Sequence, residues 1–197
     1  MEYQRREGNA GGQEAVMPRS ARLFVAAELP EAVRRALEQT ARRLKATVRG
    51  RFSGVENYHV TLAFLGDMDL TLRPALSEIV HRAAEGMPPI ETSLAGLGYF
   101  GRKESAVLWC GLTGAKALEA LSGKIRRGLA DAGIGFDGKP MKAHITLARK
   151  ACLTEVGLAE FMPFCNDFRI RRVTLFESAR EEGKLVYRPL FATELKI

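Results

Sequence analysis

Long apolar runs are absent from this sequence. No stretch approaches the roughly 18 consecutive apolar residues that a membrane-spanning helix needs, so no span and no membrane partner are expected. Cysteine is scarce. Cys110, Cys152 and Cys165 are odd in number and no two have Cys-x-x-Cys spacing. That argues against a disulfide framework and offers no zinc-ligand cluster, which leaves a reducing, cytoplasmic setting and no metal as the expectations. The first twenty residues, MEYQRREGNAGGQEAVMPRS, lack the apolar stretch of a secretory signal. They read as a flexible polar tail over 1–20, with Arg5 and Arg6 solvated or touching a polyanion, ahead of one folded unit over 21–197. Histidine is as scarce as cysteine, with three in 197 positions.

What is present is an excess of basic side chains. Thirty Lys and Arg against 23 Asp and Glu give a net charge of +7. A basic balance favours polyanions such as nucleic acid or phosphorylated small molecules, although a basic surface also serves solubility alone.

Two of the three histidines open nearly the same phrase: HVTLAFLG from His59 and HITLARK from His144. Sliding the sequence by the 85 residues between them aligns more than these phrases. Leu23-Phe24-Val25 falls on Leu108-Trp109-Cys110, within two short apolar runs that suit buried strands. Val33, Ala36 and Leu44 fall on Leu118, Leu121 and Leu129, which recur at the three- and four-residue steps of amphipathic helices. Gly50 falls on Gly135, and Leu62 on Leu147; Thr40 against Ile125 is a mismatch. Strand, helix, glycine turn and His phrase therefore recur in one register, as in an internal duplication. Helical stretches are expected after each phrase, over LRPALSEIVHRAAEG and the shorter TEVGLAEFM. A strand is expected over Thr92–Phe100, and a hairpin around Glu181-Glu182-Gly183. The mixture predicts an α+β fold of two pseudo-symmetric lobes, each an antiparallel sheet backed by helices, with a cleft between them.

Alternation along a strand puts Val60, Leu62 and Phe64 on one face and His59, Thr61 and Ala63 on the other. Likewise Ile145 and Leu147 oppose His144, Thr146 and Ala148. The second face of each strand then carries an imidazole that titrates near neutrality and a hydroxyl that can hold an anionic oxygen. Across a cleft, one imidazole could take a proton from water while the other protonates a leaving oxygen, with both hydroxyls on a phosphate. A lone His-x-Thr is usually structural. Two of them, at equivalent places in a duplicated unit, point to function. His81, on a helix without such company, reads as surface.

These phrases resemble the twin His-x-Thr/Ser-x motifs of the 2H phosphoesterases. Together with RLFVAAELP, YFGRKESAVLWCGL, KAHITLAR and TLFESAREEGKLVYRPL, the chain is more closely similar to the RNA 2',3'-cyclic phosphodiesterases, also called the LigT-like or 2'-5' RNA ligase family. The resemblance runs from about Arg22 to the C-terminus. It implies a bilobal α+β fold, no metal, and RNA or oligonucleotide ends carrying a 2',3'-cyclic phosphate as substrate, opened to a 2'-phosphate; no cofactor and a monomer are separate expectations. It implies His59 as proton donor, His144 as proton acceptor, and Thr61 and Thr146 as phosphate ligands; the near-equivalent halves do not themselves say which imidazole does which. Arg149, ending the family-like HITLAR, would add positive charge at the phosphate. Alternation puts it on the face away from His144, so a bend or a long reach is needed, and a solvated strand-end arginine is the other reading. Tyr99 and Phe100 could stack a base or fill core, and Lys142 could touch a nucleic-acid backbone or simply be solvated. Ala143 stands where the family often has proline. The competing readings are a 2'-5' RNA ligase or a small cyclic-nucleotide phosphodiesterase of the same superfamily, and a non-catalytic RNA-binding module.

Overall fold

The computed structural model of the chain describes residues 19–197. The tail expected over 1–20 lies outside the described residues as far as residue 18, Arg5 and Arg6 included; Ser20 already opens the first strand. That strand, β1 (Ser20–Glu28), is buried over nearly its whole length, and Pro30 ends it. The helix α1 (Glu31–Leu44) follows, burying Val33, Leu37, Ala41 and Leu44 as the periodicity requires. It stops short of Val48, whose N–H still reaches the Leu44 carbonyl (2.7 Å). A two-residue strand β2 (Arg51–Phe52) leads through a single helical turn at Val55–Asn57 into β3 (His59–Asp69) and α2 (Arg73–Ala84).

The second half repeats the plan. The strand expected over 92–100 is broken at Ser93 into β4 (Ile90–Thr92) and β5 (Leu94–Phe100). Ser93 is pinned instead by its own N–H to the Thr113 hydroxyl and by the Thr113 N–H to its carbonyl, both 3.0 Å. Next come β6 (Ala106–Leu112), α3 (Lys116–Asp131) and β7 (His144–Ala151). The helix expected over TEVGLAEFM is reduced to one turn at Leu158–Phe161. Then follow β8 (Phe168–Ile170), β9 (Arg172–Glu181) and β10 (Lys184–Glu194). The β9–β10 turn falls where expected: Glu182 (φ 49°) and Gly183 (φ 78°) are both left-handed, the conformation a two-residue hairpin loop demands. The Thr40/Ile125 mismatch is harmless. Both side chains are buried, and the Thr40 hydroxyl donates to the Ala36 carbonyl of its own helix (3.1 Å).

The fold is α+β with antiparallel pairing throughout, and its lobes are joined more directly than the sequence suggested. Four strands (β10-β9-β1-β3) and three (β7-β6-β5) form one continuous sheet, with β2 added to β7. The seam between β3 and β7 is the single register pair Val60–Ile145. Across this seam the halves exchange strands. In the first half the strand after α2 crosses to the second lobe, where β5 pairs with β6. In the second half the corresponding strand crosses back, where β9 pairs with β1. The short strands that precede them, β4 and β8, pair with each other. One apolar core runs through both lobes; α2 and α3 pack together against β9, β10 and β3.

Candidate active site

The seam explains why the two motifs meet. Val60 and Ile145 are fully buried and face each other. Their neighbours His59, Thr61, His144 and Thr146 are only half-buried and point the other way, because side chains alternate along each strand. Four functional groups thus surround one backbone pair on the cleft face of the sheet.

Beyond the threonines strict alternation fails, and the failure is the same in both strands. Between Ala26–Thr61 and Val25–Ala63 the register jumps over Leu62; between Phe24–Phe64 and Leu23–Gly66 it jumps over Leu65. In β7 it jumps over Leu147, and again between Ala148 and Ala151. Each jump is a bulge, an extra residue that reverses which face the following side chains take. The bulged carbonyls are satisfied from outside the ladder. Leu62 C=O accepts from the buried Ser122 hydroxyl (2.5 Å), and Leu147 C=O from the Ser53 N–H (2.9 Å). Two sequence expectations change in consequence. Ala63 and Ala148, expected beside the histidines, lie in the core. Phe64, expected in the core, lines the cleft with His59 and Thr61. The same reversal brings Arg149 to the cleft, and supplies the bend its placement needed.

Both imidazoles are held alike. His59 Nδ1 lies 2.7 Å from the Asn57 carbonyl and His144 Nδ1 lies 2.6 Å from the Lys142 carbonyl. A carbonyl only accepts, so in each ring Nδ1 carries the proton and Nε2 is left free for chemistry. His59 Nε2 lies 3.0 Å from the Thr61 hydroxyl, which donates to it while the ring is neutral. Asn57 is itself fixed by donating its side-chain amide to the Leu185 carbonyl of β10 (3.0 Å).

Each ring also sits between two aromatics, one from its own half and one from the exchanged strand. His59 packs on Phe24 (centroids 4.9 Å) and edge-on to Tyr187 (5.2 Å). His144 lies edge-on to both Trp109 (6.4 Å) and Phe100 (5.0 Å). Phe24 and Trp109 are the residues that the 85-residue slide aligns. Phe100 is therefore a wall of the cleft, while Tyr99 is more than a third exposed (38%). Lys142 is exposed, with its ammonium over the faces of Trp109 (4.9 Å) and Phe100 (5.2 Å). His81 is exposed on α2, its Nδ1 3.3 Å from the Thr193 hydroxyl, remote from this arrangement.

Burial is the main influence on both titrations. It pushes the His59 imidazole down to about 4, against the Asn57 hydrogen bond, with smaller downward contributions from His144 and Arg149. His144 is also lowered, first by burial, then by Arg149 and Lys142, against its own carbonyl contact. The effect of His144 on His59 fits two rings that flank the Val60–Ile145 seam. On the His59 side the cleft is a cavity of about 510 Å³, whose lining includes Arg22, Phe24, Thr61, Phe64, Arg149 and Tyr187. The sequence reading missed Phe24, Tyr187 and Arg22 as site residues. The aligned positions of Phe24 and Trp109 carried a signal for the first; the others depend on strand order.

A bilobal α+β protein whose duplicated strands set two His-x-Thr pairs around one seam belongs, by fold and site, to the two-histidine phosphoesterase class. The model of the 2'-5' RNA ligase superfamily matches residues 52–182, both motifs included, and the chain belongs to that superfamily. It is 36% identical over 96 residues to the RNA 2',3'-cyclic phosphodiesterase of Geobacillus stearothermophilus, a match spanning 48% of this chain and only 31% of that protein. To the RNA 2',3'-cyclic phosphodiesterase of Escherichia coli (strain K12) it is 29% identical over 170 residues, 86% of this chain and 93% of that one. The crystal structure of E. coli LigT complexed with 3'-AMP superposes with a TM-score of 0.75 at 27% identity, covering 91% of this chain and 100% of that one. Among the described residues no helix is long and apolar enough to cross a membrane.

Proposed function

We propose that this protein is a hydrolase that opens RNA 2',3'-cyclic phosphate ends to 2'-phosphates by metal-independent acid–base catalysis between His59 and His144. The observation that carries this reading is the Val60–Ile145 seam, which sets an imidazole and a hydroxyl from each half around one point. The curated relatives of that name and the LigT complex with a nucleotide support the substrate class.

In the proposed reaction His144 Nε2 takes a proton from water as its oxygen attacks phosphorus. The P–O3' bond breaks, and His59 Nε2–H protonates the departing O3'. The phosphate stays on O2'. Thr61, Thr146 and Arg149 hold the non-bridging oxygens as negative charge builds. The acid must be charged, yet His59 is neutral in the empty cleft. An anionic phosphate between the rings offsets Arg149 and the lost hydration, and so raises the imidazole toward protonation. Protonation also reverses the His59–Thr61 contact. Nε2 becomes the donor, and the Thr61 hydroxyl, which keeps its proton, is free to donate a hydrogen bond to a phosphate oxygen.

The test is phosphorus NMR of a 2',3'-cyclic nucleotide incubated with EDTA-treated protein. A 2'-phosphate should form, and His59→Ala and His144→Ala should each lose about 10²–10⁴-fold in rate while remaining folded. Full activity of either variant would overturn the assignment. RNA binding without turnover would favour a binding module, and joining of ends would favour a ligase.

A further inference from the structure

The cleft extends well past the histidines along one lobe, and that extension carries charge the hydrolysis of a bare cyclic phosphate does not use. Beyond Thr61 the floor is formed by cross-strand neighbours of period two. Phe24 pairs with Phe176, Arg22 with Ser178, and Leu185 of β10 with Arg180 of β9. Arg22, Ser178, Arg180 and Leu185 all line the cavity that contains His59. The Arg22 guanidinium does not pair with Asp67, its register partner. It lies over the Phe64 ring at 4.9 Å. Phe64 is opposite Phe24, two residues along β1 from the partner of Thr61, which is about 7 Å. Arg180 is engaged only by a backbone contact, its Nη1 donating to the Gly183 carbonyl (3.2 Å).

Neither guanidinium has a carboxylate partner among the described residues, and the opposite face of the same hairpin shows the contrast. There Arg19 pairs with Glu177 (3.0 Å), and Arg188 with Glu181 (2.5 Å) and more distantly with Glu177 (3.9 Å). One face of these strands thus neutralises its arginines, while the cleft face leaves Arg22 of β1 and Arg180 of β9 open. Arg149 and Arg22 both favour the ionised Tyr187 phenol, which places both guanidiniums near the aromatic wall beside His59. By register, Arg22 and Ser178 lie two residues beyond the Phe24–Phe176 pair that packs beside His59, and Arg180 lies two residues farther along β9.

We infer that Arg22 and Arg180 form a second phosphate subsite, which holds the phosphate on the 5' side of the terminal nucleoside while the cyclic phosphate lies between His59 and His144. The Arg22 guanidinium sits over Phe64, about 7 Å along β1 from the position opposite Thr61, within reach of the next phosphate of a nucleotide chain, and guanidiniums without a carboxylate partner suit a phosphate oxygen. This inference rests on the proposed reaction and narrows its substrate. The cleft is built for the end of a chain, or a 5'-phosphorylated nucleotide, over a cyclic mononucleotide with a free 5'-hydroxyl.

Three probes test it: adenosine 2',3'-cyclic phosphate, its 5'-phosphorylated form, and the adenylyl dinucleotide ending in a 2',3'-cyclic phosphate. Both probes with a 5' phosphate should have kcat/KM about tenfold or more above the first, with the advantage shrinking as salt rises. In the Arg22→Gln, Arg180→Gln double variant that ratio should fall toward one. Equal kcat/KM for all three probes, or a ratio unchanged in the variant, would overturn the subsite and leave the hydrolase intact. If none of the three is turned over, the hydrolase reading fails, and the subsite is judged by equilibrium binding of the same probes to His144→Ala protein. There the 5'-phosphorylated molecules must bind more tightly than the first, or the subsite fails too.

Discussion

Val60 and Ile145 are register partners, fully buried, and the single pair through which β3 meets β7. The separation of the two imidazoles is set there. Ile145→Ala should cost about 2–5 kcal/mol in urea unfolding, as other buried truncations do. Leu118→Ala, equally buried on α3, should cost a similar amount but spare turnover. The prediction fails if the folded Ile145 variant has the kcat of the Leu118 variant.

Ser122 supports a bulge from a distance. Its hydroxyl is the partner of the Leu62 carbonyl, and Ser122→Ala leaves that buried oxygen unsatisfied at a cost of about 1–3 kcal/mol. Because this bulge turns Phe64 into the cleft, the variant should also raise KM. Denaturant midpoints and steady-state kinetics on one preparation check both parts.

The depressed His59 titration has a definite sign. The unfolded chain binds a proton near the ordinary imidazole value, whereas the folded chain resists until about 4. Between those values the unfolded state holds more protons, so stability falls as pH is lowered through this window. The His59 share is about 3 kcal/mol on complete protonation. His59→Gln should unfold with a shallower acid dependence between pH 6.5 and 4; parallel curves would show that the ring titrates freely. By the same linkage, phosphate should bind more tightly at acidic pH, and the limbs of the kcat profile should lie at higher pH than those of kcat/KM.

Gly98 is a steric prediction. A Cβ there would come within 2.3 Å of the Trp109 ring, which lies against it. Gly98→Ala must displace Trp109, and with it the walls around His144. Lower thermal stability together with an altered His144 ring resonance by NMR is the expected result; an unshifted resonance would count against it.

Much of this was legible in the chain because it depends on local patterns. The His phrases, the 85-residue register, α1, α3 and the Glu182-Gly183 turn are each written within a short window. The facing of Phe64, Ala63, Ala148 and Arg149 was not, because it hangs on the Leu62 and Leu147 bulges. Their carbonyls are satisfied by Ser122 and Ser53, which lie far away in sequence. Tyr187 and Phe100 were hidden for a related reason. Each serves the histidine of the opposite half, and only the strand exchange brings them there.

That exchange has a consequence for biosynthesis. The first lobe is built on residues 20–69, but its sheet is completed by β9 and β10, which are synthesised only after β5, β6 and β7 of the second lobe. The β1 edge that β9 covers must wait, unpaired, until the strands of the second lobe have been made. The lobe begun first is the last to be finished, and loss of the β9–β10 hairpin would undo it.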